Sequence, residues 1–458
     1  MRKLLLTSTA LITILTSGQA LADDEAMLKQ LKAMQAQMES MQREMNKLKE
    51  QLAQNKAQTA KVEKITNEIK APKAPENDVK ISMVPVPKFE TADGAYSFKV
   101  GGFAQVDAGI FNDDKKDHPD GTNVRRARLN VSGTIAKDFK YKIENDFAGN
   151  ASALTDVYLE YAGLKPTSIT VGHFKEPFGL ETLTSDLFID FIERSSTNLF
   201  SPDRKIGVMV NSYGELAPIG FWTAALGGFG SGTSSTTSNN DEARDITGRI
   251  TFAPIADKTR VIHLGVAGSH RIPDSPADSF SFSSRAENQL STASTDLSVN
   301  TGTISDVSSV NLLGLEAAGV YGPFSVQGEY VRAAVNRNVG IEPTFGGYYV
   351  DASYFITGES RNYNAQTARF DRVKPKWPLS FSEGGWGAWQ VMARYSALDL
   401  NDKTINGGEL RDTTFGIKWL PNSYTMVTAN YIMSNTDSHA VTPNDDPQIF
   451  LLRTQFDF

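Results

Sequence analysis

From Tyr96 onward, apolar and polar residues alternate in short runs, and no helical period is sustained. In residues 124–134 (VRRARLNVSGT), Arg126, Arg128, Asn130 and Ser132 fall on one phase, and Ala127, Leu129, Val131 and Gly133 on the other. A strand sends successive side chains to opposite faces, so this segment has one cationic, polar face and one apolar face, with Arg125 on the apolar phase and nearer a rim. Residues 98–111 likewise oppose Phe98, Val100, Ala104, Val106, Ala108 and Ile110 to Lys99, Gln105 and Asp107. Residues 139–147 set Phe139, Tyr141, Ile143 and Phe147 against Lys140, Lys142, Glu144 and Asp146. Water must lie on the charged side, and alternation alone leaves open whether it surrounds a soluble sheet or fills a pore. About sixteen such runs can be counted, an even number of the kind used by closed bacterial barrels.

The connections bear on that choice. Short ones (GTIAKDF, SYGELAP, APIADKT, VYGPF, LPNSY) alternate with long polar ones at 230–243, 273–306 and 434–448. Outer-membrane barrels sort their connections in this way, with tight turns at one rim and long loops at the other. Tyr161, Trp222, Tyr321, Trp386, Trp389, Trp419 and Tyr424 recur near the ends of runs, where interfacial aromatic girdles would lie. Phe450, Leu452, Phe456 and Phe458 share one face of the last run, which suits barrel closure. The predicted fold is therefore all-β, a transmembrane antiparallel barrel of about sixteen strands over residues 96–458.

Before Tyr96 the pattern differs. Met27, Leu31, Met34, Met38, Met41, Met45, Leu48 and Leu52 are spaced by alternating steps of four and three, a heptad seam that predicts an α-helical coiled coil over residues 23–62. A single amphipathic helix packed on its own domain would carry the same stripe, and methionine specifies strand number poorly. Residues 63–95, including KAPKAPENDVKISMVPVPKFE, read as an extended linker rich in Pro and Lys. At the start, Arg2 and Lys3 precede LLLTSTALITILTS and a small-residue end at Ala20-Leu21-Ala22, the layout of a secretory signal occupying residues 1–22.

Composition removes several alternatives. Among 458 residues with a formal net charge of -7 there is no basic excess to favour nucleic acid as a partner. The absence of cysteine excludes disulfides, thiolate metal sites and cysteine nucleophiles. His118, His173, His263, His270 and His439 form no recognisable Ser-His-carboxylate set, and no phosphate-cradling glycine loop or zinc spacing occurs. No enzyme activity, catalytic residue, cofactor or metal is expected.

The segments RRARLNVSGTIAKDFKYKIENDF, ITVGHFKEPFGLETLTS, GAWQVMARYSALDL and TFGIKWLPNSYTMVTANYIMS resemble the phosphate-selective porin O/P family, from about residue 98 to 458. GHFKEPFGLE is the most specific block. The resemblance implies a trimeric sixteen-stranded barrel in the bacterial outer membrane, with a selectivity filter of basic side chains. Its expected partners are the lipid bilayer, sister subunits and small inorganic anions. The coiled coil would stand in the periplasm and could engage an envelope partner.

Residues 174–204 follow the fifth run and mix apolar anchors with Lys175, Glu176, Glu181, Arg194 and Arg204. Such a loop is expected to fold inward and narrow the pore, the alternative being an external loop packed on a neighbouring subunit. Lys99, Arg126, Arg128, Lys140 and Lys142 form the expected anion-attracting wall, unless the arginines are paired structurally with Glu144 and Asp146. Along the whole lumen phase the two signs nearly balance, which favours broader solute choice than a uniformly basic filter would. The functional expectation is thus a water-filled channel for passive diffusion of small hydrophilic solutes, with anions such as phosphate preferred. The alternative is a channel of general or mixed selectivity whose coiled coil tethers the barrel to the envelope.

Overall fold

A computed structural model describes residues 24–68, 79–83, 86–149, 153–230, 241–275, 277–290 and 297–458, so the signal segment and part of the linker lie outside it. The chain divides into two units, Met1–Pro75 and Glu76–Phe458. The first contains one helix, α1 (Asp24–Glu68). Its described seam residues Met38, Met41, Met45, Leu48 and Leu52 are all exposed.

The second unit is a closed barrel of sixteen strands. They are β1 (Ser97–Asn112), β2 (Gly121–Ile135), β3 (Phe139–Asp146), β4 (Ala153–Tyr161), β5 (Thr167–Lys175), β6 (Arg204–Leu216), β7 (Gly220–Phe229) and β8 (Arg244–Ala256), followed by β9 (Arg260–Ile272), β10 (Val307–Tyr321), β11 (Phe324–Arg337), β12 (Thr344–Phe355), β13 (Ala388–Asp402), β14 (Ile405–Asn422), β15 (Thr425–Thr436) and β16 (Gln448–Asp457). Each pairs antiparallel with its neighbour in the chain, and β16 closes on β1 from Gln448↔Asn112 to Asp457↔Phe103. Closure leaves no open edge, the condition for a sheet in hydrocarbon, where unpaired backbone groups find no water. Alternation decides what faces out: Ile246, Ile250, Leu264, Leu313, Tyr330, Val350, Phe415 and Ile417 are exposed, whereas the opposite phase carries buried polar and charged side chains such as Arg249, His263, Glu316 and Arg394 together with apolar ones such as Leu312, Val331 and Leu410.

Two departures from the sequence expectation occur near the start of the barrel. Within the presumed linker, Val79–Ser82 pairs with Lys88–Thr91, and Lys88–Glu90 continues onto Lys99–Ser97 of β1. The reason is geometric: β16 stops opposite Phe103, so the first residues of β1 would present an unpaired edge, and the hairpin covers it. The second departure is a bulge in β2, where Gln105 opposes Arg126 and Val106 opposes Val124. Arg125 is the extra residue. The local kink turns it into the lumen instead of toward the apolar phase.

The rims are also less regular than the connections suggested. The turn rim includes the start of β1 and the end of β16, and it carries one long connection, residues 356–387, between β12 and β13. At the loop rim, β13 and β14 are joined by Lys403 and Thr404 alone.

Candidate pore constriction and vestibule

Among the described residues, three connections turn into the barrel. The first, residues 176–203, leaves β5 and reaches most of the wall. Gly179, at φ 75°, allows the backbone to approach β11 closely, since an added Cβ would lie 2.8 Å from the Glu329 carboxylate. That carboxylate accepts the backbone N–H of Leu180 (3.0 Å) and Glu181 (2.6 Å). Glu176 accepts from Thr247 of β8, and the Glu181 carboxylate accepts from Ser195 and from Arg394 of β13 (3.2 Å). Arg194 closes the loop on itself through the carbonyls of Glu181 (3.0 Å) and Thr184 (2.9 Å) and the carboxylate of Asp186 (2.6 Å). Lys175 donates to the Thr182 carbonyl. Buried Phe178, Leu180, Ile192 and Phe200 supply the apolar part of this anchorage.

The second is the described part of the connection between β9 and β10, residues 273–275, 277–290 and 297–306. Its sequence is polar and gave no inward signal, yet Phe282, Ala286, Leu297, Val299 and Ile304 pack with Phe178, Ile192 and Phe200 and with the walls of β10 to β16. Glu287 from this segment binds Arg394, Ser396 (2.8 Å) and Thr414 (2.7 Å). Together the two loops fill the lumen against β10 to β16 and leave free space beside β2 to β8.

The third comes from the opposite rim. In the 356–387 connection, Asn362–Asn364 and Arg369–Asp371 form a small hairpin inside the barrel. Arg361 donates to Gln327 of β11 (2.8 Å), pairs with Asp190 of the first loop (3.1 Å) and stacks 3.5 Å over the Phe370 ring. Tyr363 bonds His263 of β9 (2.7 Å), and Arg372 pairs with Asp457 of β16.

The five proposed wall residues divide by exposure. Arg126 faces the lumen but is buried, donating to Gln105 (2.8 Å) and lying 3.3 Å from Asp186. Arg128 binds Asp146 (2.8 Å) and Asp186 (2.9 Å), with Glu144 at 3.6 Å. Arg125, turned inward by the bulge, holds Glu193 through two bonds of 2.8 and 3.1 Å. These three arginines therefore brace the first loop through Asp186 and Glu193. Lys142 spans Asp156 (2.7 Å) and Glu144 (3.0 Å), and Arg204 takes the other oxygen of Asp156 (2.6 Å). Lys140 remains open: its side chain is 55% exposed and its contact with Glu160 is 3.5 Å, and Lys99, half-buried on β1, lines the same space with no ion pair among the described residues.

Asp186 and Glu193 sit on the loop, outside the spanning strands. Burial favours their neutral forms, but Arg126 and Arg194 hold Asp186 well below the usual carboxylate range. Arg125 and Arg453 do the same for Glu193 against its burial. A depressed pKa contributes stability that is complete above the unfolded value near about 4 and is lost as pH falls through the folded value. The thermal midpoint of the folded barrel should therefore stay level from about pH 8 to about pH 5 where these two groups govern it, and drop only in stronger acid, as a melting series against pH would show.

Between the loop, the turn-side hairpin and the β2 to β8 wall lies a cavity of about 760 Å³. Ten basic side chains line it, among them Lys99, Lys140, Lys142, Lys165, Arg204 and Arg369, against six carboxylate side chains. The local balance is thus basic, although charges along the whole lumen phase nearly cancel. Among the described residues no group of His, Asp and Glu side chains has the geometry to hold a metal.

Residues 98–458 match the family described as phosphate-selective porin O and P. Porin O of Pseudomonas aeruginosa is 29% identical over 411 residues, covering 80% of this chain and 90% of that protein. A protein of Caulobacter vibrioides with no assigned function is 30% identical over 358 residues, 75% of this chain and 69% of the other. Among solved structures, the anion-selective porin from Comamonas acidovorans superposes with a TM-score of 0.50 at 13% identity, over 79% of this chain and 100% of that one. The outer-membrane channel DcaP of Acinetobacter baumannii gives a TM-score of 0.50 at 13% identity, over 81% and 99%. A closed barrel with a narrowed, charged lumen and a family match across its whole length leave one assignment: this chain belongs to the phosphate-selective porin O and P family and is a channel of the bacterial outer membrane, not an enzyme.

Proposed function

We propose that the channel favours small inorganic anions, phosphate among them, and that the basic excess in the turn-side cavity produces the preference. The supporting observation is the ratio of ten basic to six acidic side chains around about 760 Å³ of water-accessible space. Lys99 and Lys140 carry the free charge in this reading, offering ammonium donors to oxyanions. Arg126 and Arg128 act behind them, fixing the loop that sets the width. Glu176, Glu181 and Arg194 hold the loop's shape, while Lys175 and Arg204, engaged with the Thr182 carbonyl and with Asp156, add to the basic lining without carrying its free charge. The name of the Comamonas relative as anion-selective agrees with this reading.

Reversal potentials in a tenfold salt gradient test it. Changing Lys99 and Lys140 to Glu should move the potential by tens of millivolts toward the cation limit of about 59 mV, with unit conductance and heat-modifiability retained. An unchanged potential in a correctly inserted channel would favour a general porin of mixed selectivity.

Assembly as a homotrimer fits two features. Strands β3, β4 and β5 have only 8, 9 and 9 residues, at or below the roughly 9–11 that a tilted spanning strand needs. A neighbouring subunit would cover this low wall. The exposed seam of α1 would pair with the same seam on sister chains, in keeping with a coiled-coil segment at 23–62. Because the chain enters β1 at the turn rim, which faces the periplasm in this architecture, that coil belongs in the periplasm and can tether the barrel to an envelope component.

A further inference from the structure

The 356–387 connection has a second arm that the lumen does not use. Residues 374–387 (KPKWPLSFSEGGWG) form a small loop closed by Ser380 and Gly385, whose backbones exchange bonds of 3.1 and 3.0 Å. Leu379 donates to the Pro421 carbonyl at the end of β14 (2.7 Å). The carbonyl of Trp386 accepts the indole N–H of both Trp389 (3.2 Å) and Trp419 (2.9 Å), and those two rings stack at 5.5 Å. Trp389 and Trp419 are register partners on the outward phase of β13 and β14, the phase of Val391 and Ile417. The arm thus prolongs the lipid-facing surface past the turn rim.

What it displays is apolar and aromatic. Phe381 is 97% exposed, Trp386 75% and Trp377 73%. Three large rings within ten residues, presented together at a rim, mark an interaction surface and not scattered surface apolarity. Exposed Lys374 flanks them. Tryptophan rings with a neighbouring lysine suit the boundary between headgroups and acyl chains, where one end of the ring is apolar and the other wet.

We propose that residues 374–387 are an interfacial anchor, seated in the phospholipid leaflet at the turn rim, with Trp377, Phe381 and Trp386 at the headgroup–acyl boundary and Lys374 beside lipid phosphates. Continuity with the outward Trp389–Trp419 pair selects lipid as the occupant. A second copy of the chain is disfavoured because the short strands β3 to β5, the wall that needs cover, lie on the far side of the barrel. The anchor rests on the outer-membrane assignment. It gives the lumenal hairpin, which leaves the same connection, a fixed point in the bilayer.

The chain has no cysteine, so Phe381→Cys creates a single labelling site at a side chain that touches little of the fold. A nitroxide there, in the full chain reconstituted into phosphatidylethanolamine–phosphatidylglycerol vesicles, is measured for collision with oxygen and with a water-soluble nickel chelate. Phe415→Cys on the outward wall and Lys258→Cys in another turn of the same rim serve as lipid and water references. The expected oxygen-to-nickel ratio at position 381 is severalfold above that at 258 and below that at 415. A ratio equal to that at 258 overturns the proposal, and so does spin–spin broadening that persists in detergent, which would make the arm a contact between copies. In the unlabelled chain, phospholipids brominated high on the acyl chain should quench more tryptophan fluorescence than in a W377F/W386F variant, and equal quenching would also overturn it. Conductance of the same vesicles reports the channel assignment independently.

Discussion

Replacing Arg394 with methionine should lower the stability of the folded barrel by about 3–5 kcal/mol, the cost of breaking a buried ion pair from one side. The guanidinium is fully buried on β13 and meets Glu181 (3.2 Å), Glu287 and the Glu193 carbonyl (3.1 Å), with its carbon 4.3 Å over the Phe191 ring. Glu181 belongs to the first inward loop and Glu287 to the second, so one side chain joins both to the wall. Removing it leaves Glu181, among the described residues, with the hydrogen bonds of Ser195 and the more distant charge of Arg194, and Glu287 with the neutral donors Ser396 and Thr414. Methionine preserves most of the volume, so the effect isolates charge from packing. The expected signs are a lower temperature of heat-modification and noisy open-channel current as the loops fluctuate. Adding Glu287→Gln should recover part of the loss, because it removes one of the stranded charges. Unchanged melting in the single variant would show that the two loops are held by their apolar cluster alone.

The barrel was legible because lipid enforces the alternation. Every strand must show apolar side chains to hydrocarbon and can show anything to water, so Leu129 and Val131 against Arg126 and Arg128 specify a face without any neighbour being known. The inward course of residues 176–203 left a related trace, because a loop at a rim has no use for Phe178, Leu180, Ile192 and Phe200. Residues 273–306 left almost none. Their five apolar anchors are diluted in Ser, Thr, Asn and Asp, and what buries them is a cluster built from loops and strands far apart in the chain. Phase alone misplaces Arg125 for a similar reason: it assumes an unbroken register, and the bulge opposite Gln105 and Val106 is set by the pairing of two strands. The short hairpin at 79–91 answers a need, the uncovered start of β1, that appears only once β16 is known to stop opposite Phe103. Lys99 and Lys140 could be placed on the lumen side from phase alone, but only the carboxylates gathered around Arg126, Arg128 and Lys142 reveal which bases are already engaged.

The turn-side hairpin yields the prediction of greatest functional effect. Asn362 and Asp371 are direct register partners, so residues 363–370 can be replaced by an Asn-Gly turn without moving Arg361 or Arg372. The replacement removes Tyr363, Arg369, Phe370 and the Ala368 carbonyl that accepts from Arg249 (3.0 Å). The wall beneath should survive, since Arg249 keeps Glu316 at 2.6 Å and His263 keeps the same carboxylate at 3.0 Å. Arg361 loses its ring partner but retains Gln327 and Asp190, so the first loop keeps that mooring. The lumen on the turn side would then widen over the region where Arg369 and Phe370 line the cavity. Single-channel conductance should rise severalfold. Anion preference should weaken at the same time, because a wider cross-section puts more ions beyond the reach of the wall's charges, about 8 Å at physiological salt. Paired measurements of conductance and reversal potential separate the outcomes. A wider but equally selective channel would place selection above the hairpin, at the first loop, whereas an unchanged conductance would show that the current path bypasses residues 363–370.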